Sequence, residues 1–586
     1  MQSASGRWVI CYNGEIYNFQ VLARELEASG QAPAWRGRSD TEVIVAAVEA
    51  WGVIKAVSRL VGIFALALWD REERVLWLAR DPMGVKPLFF GEFRRAFIFG
   101  SELKALRAHP SFDATIDRNA LAIFLRRNFV PAPYSIYAGV EKLTPGTILS
   151  VRHERTGGFR RELHTCWSTR QVFERGATDP LDISPSEAVD LLDRTLGDVV
   201  ASQMVSDVPL GSFLSGGIDS STVTALMQSR SSRPIKTFSI GFEASGYDEA
   251  PHARAIARYL GTEHTELYVT PGHGLATIPE LPRIWDEPFS DASQVPTYLL
   301  AHLTRRHVTV SLSGDGGDEL FCGYVRYGRE RAIWRMIGWA PLAARRVLAA
   351  MVSSISPQTW NRWLPDSELF RSIVGKGPGH RLHRLADVLR LSNQHALFNR
   401  LMSHWPDPGQ LVIGATEPET ALTDPAQWAK LATFEDQMMY LDMISYLPDD
   451  ILVKLDRASM AVGLEARVPL LDQRVVELAA RLPLAFKMRG GQTKWVLRQV
   501  LSRYVPPRLF SRPKMGFTVP LESWLRGPLH DWAKALLDEK RLEREGYLRP
   551  SSIREKWLEH VAGTHDWHNW IWDVLMFQAW LEQSSS

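Results

Sequence analysis

Two short turns concentrate the residues able to do chemistry. In the first, Ser215-Gly216-Gly217-Ile218-Asp219-Ser220 follows an apolar run ending at Leu214 and precedes an amphipathic stretch from Thr222 to Gln228. Glycines without Cβ let a backbone close on a bulky anion, and the N–H groups of a helix start favour negative charge. The ligand this order implies is a phosphate or pyrophosphate. Asp219 would repel that ligand unless a cation lies between them, so the turn also calls for Mg²⁺ held by a carboxylate and phosphate oxygens.

A second turn, Ser313-Gly314-Asp315-Gly316-Gly317-Asp318-Glu319, follows the alternating run His307 to Leu312. Ligands of open α/β sheets bind beyond the carboxyl ends of strands, so two such turns suit one crevice in which Asp219 and Asp318 share one cation. Neither turn is Gly-x4-Gly-Lys-Ser/Thr or Gly-x-Gly-x-x-Gly, which sets aside the usual kinase, GTPase and dinucleotide sites.

Turns of this kind need a parallel sheet to hold them. From Ser186 the pattern alternates between helix and strand: Ile235 to Phe242 reads as a strand, Asp248 to Leu260 as a helix ending at Gly261, and His264 to Val269 as a strand. From about Arg326 helices dominate. The earlier part differs. Trp8 to Tyr12, Gly62 to Trp69, Val75 to Ala79, Pro87 to Phe90 and Ala96 to Phe99 are short apolar stretches separated by turn signals. Helical patterns fall at Phe19 to Ala28 and Thr41 to Trp51, which together give a mainly antiparallel α+β reading. Arg152 to Pro185 is polar and irregular and reads as a connection.

Further motifs narrow the field: 13–18 (Asn13, Gly14, Glu15 leading), 39–42 (with Asp40), 80–87, 101–105, 465–472 and 514–517 (Lys514-Met515-Gly516-Phe517). In this order the chain resembles glutamine-hydrolysing asparagine synthetases of the long bacterial type, over nearly its whole length. The resemblance implies residues 1–165 as a class II glutamine amidotransferase sandwich of the N-terminal-nucleophile kind, 166–185 as the connection, and 186–586 as an α/β PP-loop ATP pyrophosphatase domain with a helical C-terminal part. The reaction it implies joins ATP, aspartate and ammonia or glutamine through a β-aspartyl adenylate, with Mg²⁺ as cofactor.

By the same resemblance, Ser215, Gly216, Gly217 and Ser220 hold pyrophosphate, Phe213 and Ile240 line the adenine site, and Ser313 and Gly314 touch the nucleotide. Lys494 contacts phosphate, with Arg498 one turn further on the same helix face, and Asp315 is tied to adenylate formation. Asp315 stands where many family members have glutamate, which leaves a sugar acid or another carboxylate of surface polysaccharide synthesis as the alternative acceptor, and a non-catalytic nucleotide-binding protein as a further reading. Asn13, Gly14, Glu15 and Asp40 match residues that cradle glutamine. The sequence enters the family pattern in the middle of the amidotransferase domain, so its first strands and nucleophilic cysteine are expected to be missing and this glutamine site to be a remnant. Cys11, expected as a buried small residue in a strand, is no substitute.

The 586 residues exceed one core, and 45% hydrophobic with 23% charged residues describes a globular chain. A net charge of +2 gives no reason to invoke nucleic acid or a membrane as partner. Three widely spaced cysteines build neither a disulfide framework nor a zinc site, which fits a reducing cytoplasm. A homodimer is the assembly to test.

Overall fold

The strand Gly62–Asp70 shows how its sequence builds a layered sandwich. Its side chains alternate: Phe64, Leu66 and Leu68 pack with Leu22, Leu26, Ile44 and Val48 of two helices, while Ala65 and Ala67 face Leu88, Phe90 and Leu149 on the other side. Period-two alternation with apolar residues on both faces makes a fully buried central strand. In this computed structural model, which describes all residues except 156, 243–247, 364–377, 513–518 and 585–586, the strands of the first half are β1 (Trp8–Ile16), β2 (Gly62–Asp70), β3 (Val75–Arg80), β4 (Phe89–Phe93), β5 (Ala96–Gly100), β6 (Val140–Lys142), β7 (Thr147–His153) and β8 (Phe159–Thr165). They form an antiparallel sheet in the order β1-β2-β3-β7-β8 and a smaller one in the order β5-β4-β6.

Two expectations need correcting here. Cys11 is exposed on β1 rather than buried, because it lies on the side of the strand away from the helices. The stretch from Arg152 to Pro185 is not irregular: it holds β8 and the helix Thr169–Thr178. Strand β8 is mostly exposed and presents only Phe159 and Leu163 as large apolar residues, so alternation is nearly absent from its sequence. The helix starts at Ser168, whose hydroxyl accepts from the Gln171 N–H at 3.3 Å, and buries Val172 and Phe173.

In the second half β9 (Leu210–Phe213), β10 (Lys236–Phe242), β11 (Glu263–Val269), β12 (Val310–Leu312) and β13 (Glu465–Arg467) form a parallel sheet in the order β11-β10-β9-β12-β13. The chain runs from β9 outward to β11, then returns to lay β12 on the other side of β9. The reversal opens a crevice between the carboxyl ends of β9 and β12.

The halves share their interior. Phe89, Leu121 and Phe124 of the first pack in one core with Trp285, Trp572 and Phe577 of the second. Charges are buried across the boundary too: Lys86 Nζ meets Asp456 Oδ1 at 2.9 Å, Lys142 pairs with Glu287, and the Arg457 guanidinium donates to the Ser101 carbonyl at 2.6 Å. Among the described residues no helix is long and apolar enough to cross a membrane.

Candidate functional site

The first turn leaves β9 and enters the helix Ile218–Arg230 with Gly217 as its N-cap. Gly216 has φ +74°, and a Cβ there would lie 2.8 Å from the Ala253 nitrogen, so the position demands glycine on both counts. The turn is laced by its own serines. The Ser215 and Ser220 hydroxyls are 3.0 Å apart, the Ser215 N–H donates to Ser220 Oγ at 3.2 Å, and the Gly217 N–H donates to Ser215 Oγ at 3.3 Å. Arg512 fixes the strand side, donating to the Ser215 carbonyl at 3.2 Å and pairing with Glu249 at 2.9 Å.

The second turn, after β12, is pressed against the first. A Cβ on Gly314 would stand 2.5 Å from the Ser220 nitrogen, and one on Gly317 would strike the Asp219 carboxylate. That proximity brings Asp219 and Asp318 around one ammonium: Lys494 Nζ pairs with Asp219 Oδ2 and lies 2.8 Å from Asp318 Oδ1. Burial works against the charge of Lys494, but Asp219 and then Asp318 outweigh it and hold the ammonium above the ordinary lysine value.

Lys494 departs from the sequence reading in one respect. It does not sit inside a helix; it caps Trp495–Ser502 in a left-handed conformation, φ +55°, with its N–H donating to the Phe321 carbonyl at 3.0 Å. The tertiary contacts with both carboxylates offset the local strain of a non-glycine residue there. Arg498 therefore lies one turn into a helix that Lys494 only caps, although both line the same cleft.

That cleft, about 480 Å³, brings together Phe213, Ser215, Gly216, Gly217, Asp219, Ser220, Ile240, Ser313, Gly314, Asp315, Asp318, Lys494 and Arg498. Phe213 and Ile240 are also nearly buried, so they serve the core as well as the wall. The Asp315 carboxylate accepts from the Ser313 hydroxyl at 2.5 Å, and burial raises it above its usual range despite that bond. The motif Lys514-Met515-Gly516-Phe517 lies outside the described residues.

Asp291 and Lys454, which motif reading passed over, also line the cleft. Lys454 Nζ lies 2.5 Å from Asp291 Oδ2, and Asp450 accepts from the Asn128 side-chain amide of the first half at 2.9 Å. Burial and the neighbouring Asp291 drive the Asp450 carboxyl far upward, whereas Lys454, against burial, holds Asp291 low.

The four residues matched to a glutamine cradle form a separate cluster in the first half. Asp40 accepts from the Tyr12 hydroxyl at 2.7 Å and the Ile16 N–H at 3.0 Å; the Asn13 amide donates to Ser101 Oγ at 3.2 Å. Gly14, in mid-strand, admits the Ile63 carbonyl where a Cβ would lie. Glu15 is 3.5 Å from Arg467, and burial, set against Arg467, pushes its carboxyl up to about 7.

For a divalent cation, the donor chemistry fits. Asp219 and Asp318 already converge on one positive charge, and among the described residues no group of three or more His, Cys, Asp or Glu forms a closed cage. Two carboxylates without a cage suit Mg²⁺, which completes its shell with water and substrate phosphates.

A family model described as asparagine synthase matches residues 191–582, and one described as a glutamine amidotransferase domain matches residues 1–161. Glutamine-hydrolyzing asparagine synthetase 1 of Bacillus subtilis is 31% identical over 574 residues, covering 98% of this chain and 85% of that protein. Asparagine synthetase 3 of the same organism is 28% identical over 597 residues, 96% of this chain and 87% of that protein. Amidase chyE of Penicillium rubens is 25% identical over 585 residues, 93% of this chain and 81% of that protein.

Proposed function

The chain belongs to the glutamine-hydrolysing asparagine synthetase family, with both the amidotransferase and the synthase domain present, and on that premise we propose that the crevice between β9 and β12 adenylates aspartate with ATP and passes the adenylate to ammonia. The aspartate β-carboxylate attacks the α-phosphorus, the bond to the bridging oxygen of the β-phosphate breaks, and pyrophosphate departs. Ammonia then attacks the acyl carbon and AMP leaves. The demand on the protein is to meet the charge that develops on pyrophosphate.

In this reading the N–H groups and hydroxyls of Ser215, Gly216, Gly217 and Ser220 receive the pyrophosphate, and Lys494 adds a fixed positive charge. Phe213 and Ile240 flank the adenine, while Ser313 and Gly314 meet the nucleotide through the backbone. Asp219 and Asp318 would hold Mg²⁺, which when bound supplies further neutralisation of the leaving group. Asp315 acts on the acceptor side. Asn13, Gly14, Glu15 and Asp40 are assigned to glutamine. The observation that carries the proposal is the convergence of two glycine turns on Asp219, Asp318 and Lys494.

One feature supports a second acceptor. Asp315, shorter than the glutamate of the resembling enzymes, is held by its own loop through Ser313, which leaves room for a bulkier carboxylate such as a sugar acid. Pyrophosphate release from ATP and Mg²⁺ with aspartate and ammonium, measured against Asp219→Ala, tests both. Release that depends on aspartate establishes the first reading; release with a sugar acid and not with aspartate establishes the second. No release with either refutes both.

A further inference from the structure

The helix Leu342–Ser353 has two unlike faces. Its inner face sets Arg345 and Ala349 against the helix Pro378–Leu389: Ala349 packs with Ala386 and Leu389, and Arg345 donates to the Leu391 carbonyl just past the helix end at 2.8 Å. Its outer face is also apolar. Ala343, Val347 and Met351 follow one another at a spacing of four, with Ala344 and Leu348 beside them, and all are exposed. Ahead of it, Met336 near the end of the helix Val325–Ile337 and Trp339 in the turn that follows are 67% and 82% exposed. Side chains of this size seldom stand together in water without a partner.

The charge carried by this stretch is largely positive, although Asp387 on the packed helix pairs with Arg390 and Arg400, and Glu435 takes Arg331. Arg329, Arg331, Arg335, Arg346 and Arg362 of this stretch are exposed, and the acid of residues 325–363 is Glu330, which is buried. The whole-chain charge of +2 averages over this segment and hides it. A second copy of the chain is a poor occupant, since a two-fold interface would bring these arginines against their own images. Nucleic acid fits less well, because the stripe between the arginines is aliphatic and offers bases little to stack on. An aliphatic stripe rimmed by arginines, with tryptophan at one end, is how a helix lies in the plane of a bilayer surface, its arginine stems along the acyl boundary and their heads on lipid phosphates.

We propose that the exposed face of Val325–Ile337 and Leu342–Ser353 docks the protein peripherally onto an anionic lipid bilayer. This needs no membrane-spanning helix and is independent of which acid the cleft adenylates.

The test is co-sedimentation of the full-length chain with vesicles of phosphatidylcholine alone and of phosphatidylcholine mixed equally with phosphatidylglycerol. The expected result is pelleting with the anionic vesicles alone, weakened in about 1 M salt, where the Debye length falls to about 3 Å. Val347→Glu/Leu348→Glu alters exposed positions and is expected to keep the wild-type melting temperature while lowering the partition coefficient about tenfold or more. Arg346→Glu, at the rim, is expected to lower it without touching the stripe. Failure of the wild-type chain to pellet with anionic vesicles overturns the proposal, as does pelleting undiminished in the folded double variant. A wild-type dimer in light scattering that Val347→Glu/Leu348→Glu dissociates, with no vesicle binding, assigns the face to a second copy and overturns it as well.

Discussion

Replacing Gly314 by alanine tests whether the contact between the two turns sets the site. The added Cβ would stand 2.5 Å from the Ser220 nitrogen and 2.8 Å from the Asp219 carbonyl carbon, against the 3.4 Å at which ordinary contact begins. Both neighbours are backbone at a helix start, so no side chain can swing aside, and the turns must part by about 0.9 Å, the difference between 3.4 and 2.5 Å. Asp219 moves away from Asp318 with that step. A misplacement near 1 Å costs about 10²-fold in rate, or roughly 2.7 kcal/mol of transition-state stabilisation. Overpacking costs about 1–3 kcal/mol of stability, leaving a folded protein to assay. The measurement is kcat/KM for pyrophosphate release beside Gly328→Ala, where an added Cβ meets nothing within 4 Å. Gly314→Ala turning over at the wild-type rate would refute the claim that this close approach fixes the site.

Two other perturbations probe the charges. Lys494→Met leaves Asp219 and Asp318 facing each other without their ammonium; the expected cost is about 3–5 kcal/mol in denaturant unfolding, and Mg²⁺ should raise the melting temperature of the variant more than that of the wild type. An equal Mg²⁺ effect in both would count against a shared cation position. Burial pushes the Glu15 carboxyl from 4.5 up to about 7, so between those values the folded state holds a proton that the unfolded state has lost. Stability is then fully present below about 4.5 and falls as pH rises through about 7, on the order of 1–3 kcal/mol from this group. Urea midpoints at about pH 5 and about pH 8 should show this loss in the wild type and lack it in Glu15→Gln.

Much of the site was legible because glycine, serine and aspartate at strand ends are required by local backbone geometry. Gly216 and Gly314 stand where no other residue fits, and the order of Asp219 and Asp318 within their turns was enough to place both in one crevice. What could not be read depends on packing at a distance. The left-handed conformation of Lys494 is normally a glycine position and carries no local signal. Asp291 and the Asp450–Lys454 turn lie far apart in the sequence and meet only through the fold, and Asn128 reaches Asp450 from the other half. The sequence reads as strand only to Tyr12, yet β1 runs to Ile16, because Gly14 looks like a breaker although the Ile63 carbonyl occupies the position of its Cβ.

The buried pairs across the two halves constrain how such a chain can be recombined. Asp456 and Arg457 lie on the helix Leu452–Met460, one turn of which also presents Lys454 to the cleft, while their partners Lys86 and Ser101 belong to the other half. A chimera that takes its first half from one relative and its second from another inherits one member of each pair from each parent. Unless both parents place a cation opposite Asp456, the hybrid buries a lone carboxylate. Exchange at the connecting segment is therefore a poor route to new acceptors, and cleft loops that contact only the second half are the parts free to vary.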